Sequence, residues 1–176
     1  VEDDYVSLGI RNNDILGFSE KEIAFYMDYI LDSKFCVGSD FIEFLKKKSV
    51  VSSDLSRDVY TNSFGTHIYF NASCKDVKLF VDSVKDELKN GNLSKEYFEL
   101  YKKKMVANEA FKLDYKYGIL RDFIFRISIS DDFDDIDFIK SMSFDRCIEF
   151  YKTLNFDKIT VAIIRKMDNC KTLVLD

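Results

Sequence analysis

Histidine is the commonest general base and zinc ligand, and the 176-residue chain contains one, His67. A catalytic zinc needs three protein ligands, and neither a second histidine nor a carboxylate stands at ligand spacing from it. His67 lies in a stretch where Thr66, Ile68, Phe70 and Ala72 alternate with other residues, so it belongs to the opposite face of a strand. A structural or solvent-facing histidine is the favoured reading. Cys74 is a nearby thiol with no third group to orient a Cys-His pair. The run Asp131, Asp132, Asp134, Asp135 and Asp137 has the oxygens a hard cation takes but lacks the glycine turn and final Glu of a calcium loop. It reads better as acid gathered at a helix N-terminus. Lys46 to Lys48 and Lys102 to Lys104 are basic triplets that solvate helix surfaces. No phosphate-cradling glycine loop, dinucleotide fingerprint or G-x-S-x-G elbow occurs. The residues alone therefore give no catalytic constellation and no metal ligands.

The elements around these residues follow from composition and period. With 47% hydrophobic and 32% charged residues the chain is globular, and at this length it buries roughly 70% of its unfolded surface. No run approaches the roughly 18 apolar residues of a membrane span, and a net charge of −5 gives no footprint for nucleic acid, so neither is expected as a partner. Cys36, Cys74, Cys147 and Cys170 are spread without a C-x-x-C pair and read as reduced thiols. The absence of proline and the scatter of six glycines leave no linker, so residues 1–176 are expected to be a single domain. The chain opens at Val1 with no initiator Met and no signal- or transit-peptide pattern, so that domain is expected to be a fragment of a longer chain.

Tyr5 to Ile10 alternates as a strand, and Arg11 to Phe18 reads as a polar loop. Ser19 and Glu22 form a capping box for a helix through Ile23, Met27, Ile30 and Leu31 that ends near Ser33. A short helix through Phe41, Phe44 and Leu45 follows, capped by Ser39 or Asp40 and closed by the lysines. Val50 to Tyr60 and Thr66 to Ala72 read as neighbouring antiparallel strands. Val77, Val81, Val84 and Leu88 make a helical stripe ending at Asn90-Gly91. Ser94 starts the next helix, with Phe98, Tyr101 and Met105 on one side and helical signal toward Ile127. Asp131 to Lys140 is read as a further short helix. Another begins at Ser143, with Phe144, Cys147, Ile148 and Tyr151 as its stripe. Ile159, Val161 and Ile163 form a last strand, and Thr172 to Leu175 a small additional one. This order predicts an α+β, two-layer sandwich: one mostly antiparallel sheet with helices packed mostly on one face.

Read with its local motifs, the order resembles one half of a metallopeptidase of the insulinase and pitrilysin family. The resemblance rests on Gly38-Ser39-Asp40-Phe41-Ile42-Glu43-Phe44-Leu45 against the family's G-x-S-S-x-L-x-x-L-R segment and on Val50 to Leu55 as the strand after it. It continues in Phe64-Gly65, Asp76-Val77, Ser94-Lys95-Glu96, Ile139 to Asp145 and the closing strand from Ile159 to Ile164. The inverted zinc motif H-x-x-E-H is absent, so the resemblance is to the non-metal, inactive type of domain found in bacterial peptidase-like proteins. It implies no cofactor in this chain, zinc on another domain in the same or a partner chain, a peptide substrate and a cytoplasmic setting. Many members place an Arg after the second helix and a Tyr seven residues later to bind the substrate backbone. Lys46 and Ser53 stand at those positions here. Lys46, Ser52 and Ser53 are accordingly the substrate-binding residues the resemblance implies. The function it implies is that of a substrate-enclosing, non-catalytic domain of a zinc metalloendopeptidase; the alternative is an inactive peptidase-fold module serving protein–protein assembly.

Overall fold

Tyr5, Ser7 and Gly9 alternate with Val6, Leu8 and Ile10, and that period builds the first strand, β1 (Asp4–Asn12). The computed structural model describes residues 3–13, 15–52, 55–62, 65–90, 92–112, 120, 124 and 135–165. The remaining elements are α1 (Glu20–Phe35), α2 (Asp40–Lys47), β2 (Ser56–Asn62), β3 (Gly65–Cys74), α3 (Val77–Asn90), α4 (Lys95–Lys112), α5 (Asp135–Ser141), α6 (Phe144–Thr153) and β4 (Ile159–Ile164). The chain packs as two compact units, Val1–Asn92 with Thr153–Asp176, and Leu93–Lys152.

The first unit holds one open sheet in the order β2-β3-β1-β4, every neighbouring pair antiparallel. β1 continues past Ile10, where the sequence reading placed a loop, because Arg11 and Asn12 still pair with His67 and Thr66 of β3. β2 begins only at Ser56; upstream of it, Val51 makes a single bridge to Cys74. Residues 50–60 are thus not one continuous strand. The register puts Val6, Leu8 and Ile10 beside Ala72, Phe70 and Ile68, and all six are buried.

Helices α1, α2 and α3 bury their apolar sides with this face. Ser19 caps α1 in the expected box: its Oγ accepts the Glu22 N–H at 3.2 Å, and its own N–H donates to Glu22 Oε2 at 2.9 Å. The helix runs two residues beyond Ser33, since Lys34 and Phe35 are themselves buried. The Phe35 ring lies 4.8 Å from Phe70 and 5.1 Å from Phe41, joining α1, α2 and the sheet. Ser39 is the α2 cap, accepting the Ile42 N–H at 3.3 Å. Ser49, at φ 53, takes the left-handed turn after α2. In α3 the fully buried stripe is Phe80, Val84 and Leu88, with Val77 and Val81 half-buried. Val84 and Leu88 are thus buried as the stripe predicts, and Phe80 replaces Val77 and Val81 as its first member.

In the second unit Ser94 and Ser143 cap α4 and α6, accepting the N–H groups of Tyr97 and Arg146 at 3.2 Å each. Phe98 and Tyr101 are buried as expected, and Met105 is half-buried. The Lys102 ammonium donates to the carbonyls of Lys140 at 3.0 Å and Met142 at 2.7 Å, supplying cationic donors at the C-terminus of α5. The α6 stripe is Cys147 and Phe150, while Phe144, Ile148 and Tyr151 are only half-buried. Most of the segment toward Ile127, the acids Asp131, Asp132 and Asp134, Cys170 and the small strand read at Thr172 to Leu175 lie outside the described residues.

Candidate functional site

Side chains alternate across a strand, so burying the Val6, Leu8 and Ile10 face commits Tyr5, Ser7, Gly9 and Arg11 to the other. Register extends this second face through His67 and Tyr69 of β3, Asp58 and Tyr60 of β2, and Thr160 and Ala162 of β4. Polar, small and aromatic residues alternate there, the composition of a surface made to be wet or to hold a ligand.

Gly9 lacks a side chain, and the Tyr69 ring lies over the space: a Cβ built there would meet Tyr69 Cδ1 at 3.7 Å. Tyr69 contacts Tyr60 edge-on at 6.1 Å and lies parallel to the His67 ring at 6.5 Å and 11°. Beside this aromatic row opens a cleft of about 690 Å³ that includes Arg11, Asn13, His67, Tyr69, Lys158 and Thr160 in its lining. That volume falls in the roughly 300–1,000 Å³ range of ligand clefts. One end is built around Asn12, which is 5% exposed and whose Oδ1 accepts the Asn155 N–H at 2.6 Å. This bond ties the chain entering β4 to the end of β1. Gly65, at φ 128, passes so close that a Cβ would come 2.6 Å from the Asn12 carbonyl oxygen, so only glycine fits.

A second cavity, about 480 Å³, lies between the start of β1 and α3 and is lined by Asp4, Asp76, Asp82, Lys75, Lys78 and Arg165 among others. Its charges balance, and Arg165 binds Asp4 at 2.7 Å. The lining carries no net charge of either sign.

His67 is half-buried on the open face, as its position in the alternation implied. Its register partners are Arg11 and Tyr60, and its stacking partner is Tyr69, none of which completes a zinc ligand set. Among the described residues no three His, Cys, Asp or Glu side chains gather to hold a metal. The Cys74 thiol is pushed up to about 11, chiefly by burial and then by Asp3 and Asp4, and burial alone pushes Cys147 up to about 12. Neither is an activated nucleophile.

Lys46 sits exposed in the last turn of α2, its carbonyl accepting the Ser49 N–H at 2.9 Å. Ser52 is exposed, and its N–H and hydroxyl both donate to the Ser73 carbonyl, at 2.9 and 3.2 Å. Ser53 lies outside the described residues. Neither Lys46 nor Ser52 lines the larger cleft. The residues that do, Arg11, Tyr69, Asn155 and Lys158, were not singled out from sequence. Their signal was present in the polar phase of the β1 and β3 alternation, which becomes a surface only once four strands align.

No protein-family model and no curated protein matches the sequence. Solved structures do. An inferred M16-like peptidase from Alicyclobacillus acidocaldarius is 18% identical with a TM-score of 0.74, covering 94% of this chain and 41% of its own. The inactive peptidase domain of an inferred zinc protease from Bordetella parapertussis is 11% identical with a TM-score of 0.73, covering 99% of this chain and 97% of that domain. The periplasmic protease PqqL of Escherichia coli gives a TM-score of 0.73 at 10% identity, over 95% of this chain and 19% of its own. At such identities the likeness is one of fold. The α+β sheet-and-helix plan is that of a peptidase domain. More particularly, it is the insulinase-like M16 fold, shared with domains that are inactive as peptidases. The chain spans about two fifths of the length of the M16-like peptidase it matches.

Proposed function

We propose that this chain is the substrate-enclosing, non-catalytic domain of a zinc metalloendopeptidase. Its partner in this reading is a zinc-bearing peptidase domain in the same or another chain, against which it closes to exclude water and hold a peptide. The observation that carries the reading is the near end-to-end likeness to an inactive peptidase domain, 99% of one chain on 97% of the other. Two features of the first unit support it. One sheet face is left open with a cleft of about 690 Å³. The edge strand β4, Ile159–Ile164, carries six uncharged residues whose outer backbone groups can pair with an extended peptide. Lys46, Ser52 and Ser53 take the role of peptide contacts in this reading. A cytoplasmic setting is part of the proposal: Cys36, Cys74 and Cys147 are free thiols, as a reducing compartment keeps them.

The test is complementation. Mixed with the zinc-bearing domain of its parent or partner protein, this chain is expected to restore endopeptidase cleavage that neither piece gives alone. Two folded, associated pieces that cleave nothing overturn the reading and favour a peptidase-fold module whose role is assembly.

A further inference from the structure

Resting on the reading of the open sheet face as a peptide-binding wall, we propose that its cleft selects acidic peptide segments, whose carboxylates meet Arg11, His67 and Lys158. The whole chain carries 31 acidic against 26 basic residues, so about one residue in six is an acid. Yet among the described residues lining this cleft there is no Asp or Glu, while Arg11, Lys158 and His67 are all present. The smaller cavity of the same unit has three acids facing three bases, so this segregation is not the habit of the surface in general. Asp58, opposite Tyr69 in the register, lies on β2 outside the cleft lining.

The donors stand where a ligand would need them. Arg11 and His67 are directly opposed across β1 and β3. Lys158 precedes β4, and among the described residues no ion pair engages it; the neighbouring acid Asp157 is held instead by Lys89. Either tautomer of a neutral histidine presents one ring N–H, and Asn13 adds a neutral amide donor to the lining. Charge-assisted bonds from such donors favour a carboxylate over its amide isostere. The Tyr69 ring supplies an apolar platform for the methylenes of a Glu side chain. Charge complementarity therefore commits the cleft to an acidic peptide rather than a neutral or basic one.

The experiment is calorimetric titration of the 176-residue chain with three short peptides identical except for Glu, Gln or Lys at alternate positions. The Glu peptide is expected to bind about tenfold tighter than the Gln peptide, the Lys peptide weakest, and added salt to erase the difference. Arg11→Gln and Lys158→Gln are each expected to weaken the Glu peptide about fivefold, and by more than they weaken the Gln peptide. Ala162→Trp, which fills the cleft from β4, is expected to abolish binding. Equal affinity for the three peptides, or indifference of the Glu peptide to Lys158→Gln, overturns the acidic preference and leaves the peptide wall standing. A folded chain that binds none of them overturns the wall itself. Lys158 is exposed, so its variant decides the matter even where Arg11→Gln fails to fold.

Discussion

The two outer strands of the sheet are built on opposite plans. β2 carries Arg57 and Asp58 in its first half, and Arg57 is bound at 2.9 Å by Asp32 of α1, itself 8% exposed. A charged residue turned inward and a helix beside the strand are devices that stop an edge from accepting another chain. β4 has neither. Its sequence ITVAII is uncharged, and the residues aligned with the core face, Val161 and Ile163, remain 38% and 37% exposed, with Ile164 on the other face at 61%. Their direct partners on β1, Leu8 and Val6, are fully buried. One strand spacing therefore separates the centre of the core from a surface kept open. An edge of this kind presents unpaired backbone groups, and it is where the proposed peptide would pair.

The sharpest test sets the two members of one register pair against each other. Leu8→Ala is expected to cost about 3–4 kcal/mol in urea denaturation, and Val161→Ala about 1 kcal/mol or less, because only the first leaves a cavity in a closed core. Similar losses at both positions would mean that β4 is as well covered as β1.

Next in size is the guarded edge. Asp32→Asn is expected to cost about 2 kcal/mol, since it leaves the Arg57 guanidinium part-buried without its anion. The double variant Asp32→Leu with Arg57→Met should recover most of that loss. If it does not, the pair does more than satisfy itself.

Placing a charge on the open edge should change association and not stability. Ile163→Lys is expected to shift the unfolding free energy by less than about 1 kcal/mol while slowing the aggregation that follows heating, read by light scattering. The same substitution on β2, Val59→Lys, should leave aggregation unaltered if that edge is already protected.

The smallest effect concerns the other buried charge of α1. Lys34, 4% exposed, donates to the Glu87 carbonyl at 3.1 Å and lies 3.8 Å from its carboxylate; burial lowers its pKa, and Glu87 offsets this in part. The folded protein thus holds this proton less tightly than the unfolded chain. Its contribution to stability rises with pH from the lowered folded value up to the unfolded 10.5, and falls on acidification through that window. Lys34→Met should flatten that slope in pH-dependent denaturation and change stability at neutral pH by about 1 kcal/mol or less.

Local signals were enough for most of the fold. The capping box at Ser19 and Glu22, the caps at Ser39, Ser94 and Ser143 and the strand alternation at Val6, Leu8 and Ile10 each act over one or two turns of chain, so sequence alone located them. Even the polar phase holding His67 was legible. The errors came where distant residues decide. Arg11 and Asn12 read as loop because polarity alone argued against a strand; pairing with His67 and Thr66 keeps them in the ladder. Phe80, not Val77 or Val81, is fully buried in α3, because spacing does not tell which side of the helix meets the sheet.

By itself, then, the sequence determined the elements, the α+β class, the lack of a zinc motif and the resemblance to an inactive peptidase half. Those follow from short-range periodicity, capping chemistry and the presence or absence of particular residues. Only the tertiary structure decided that β1 lies between β3 and β4, that β2 is guarded while β4 is open, and that Arg11, His67 and Lys158 line one cleft free of acid among its described residues. The last two are separated from Arg11 by more than fifty and more than a hundred residues. Strand order and register bring them together through long-range backbone pairing, for which no local pattern in the chain carries a signal.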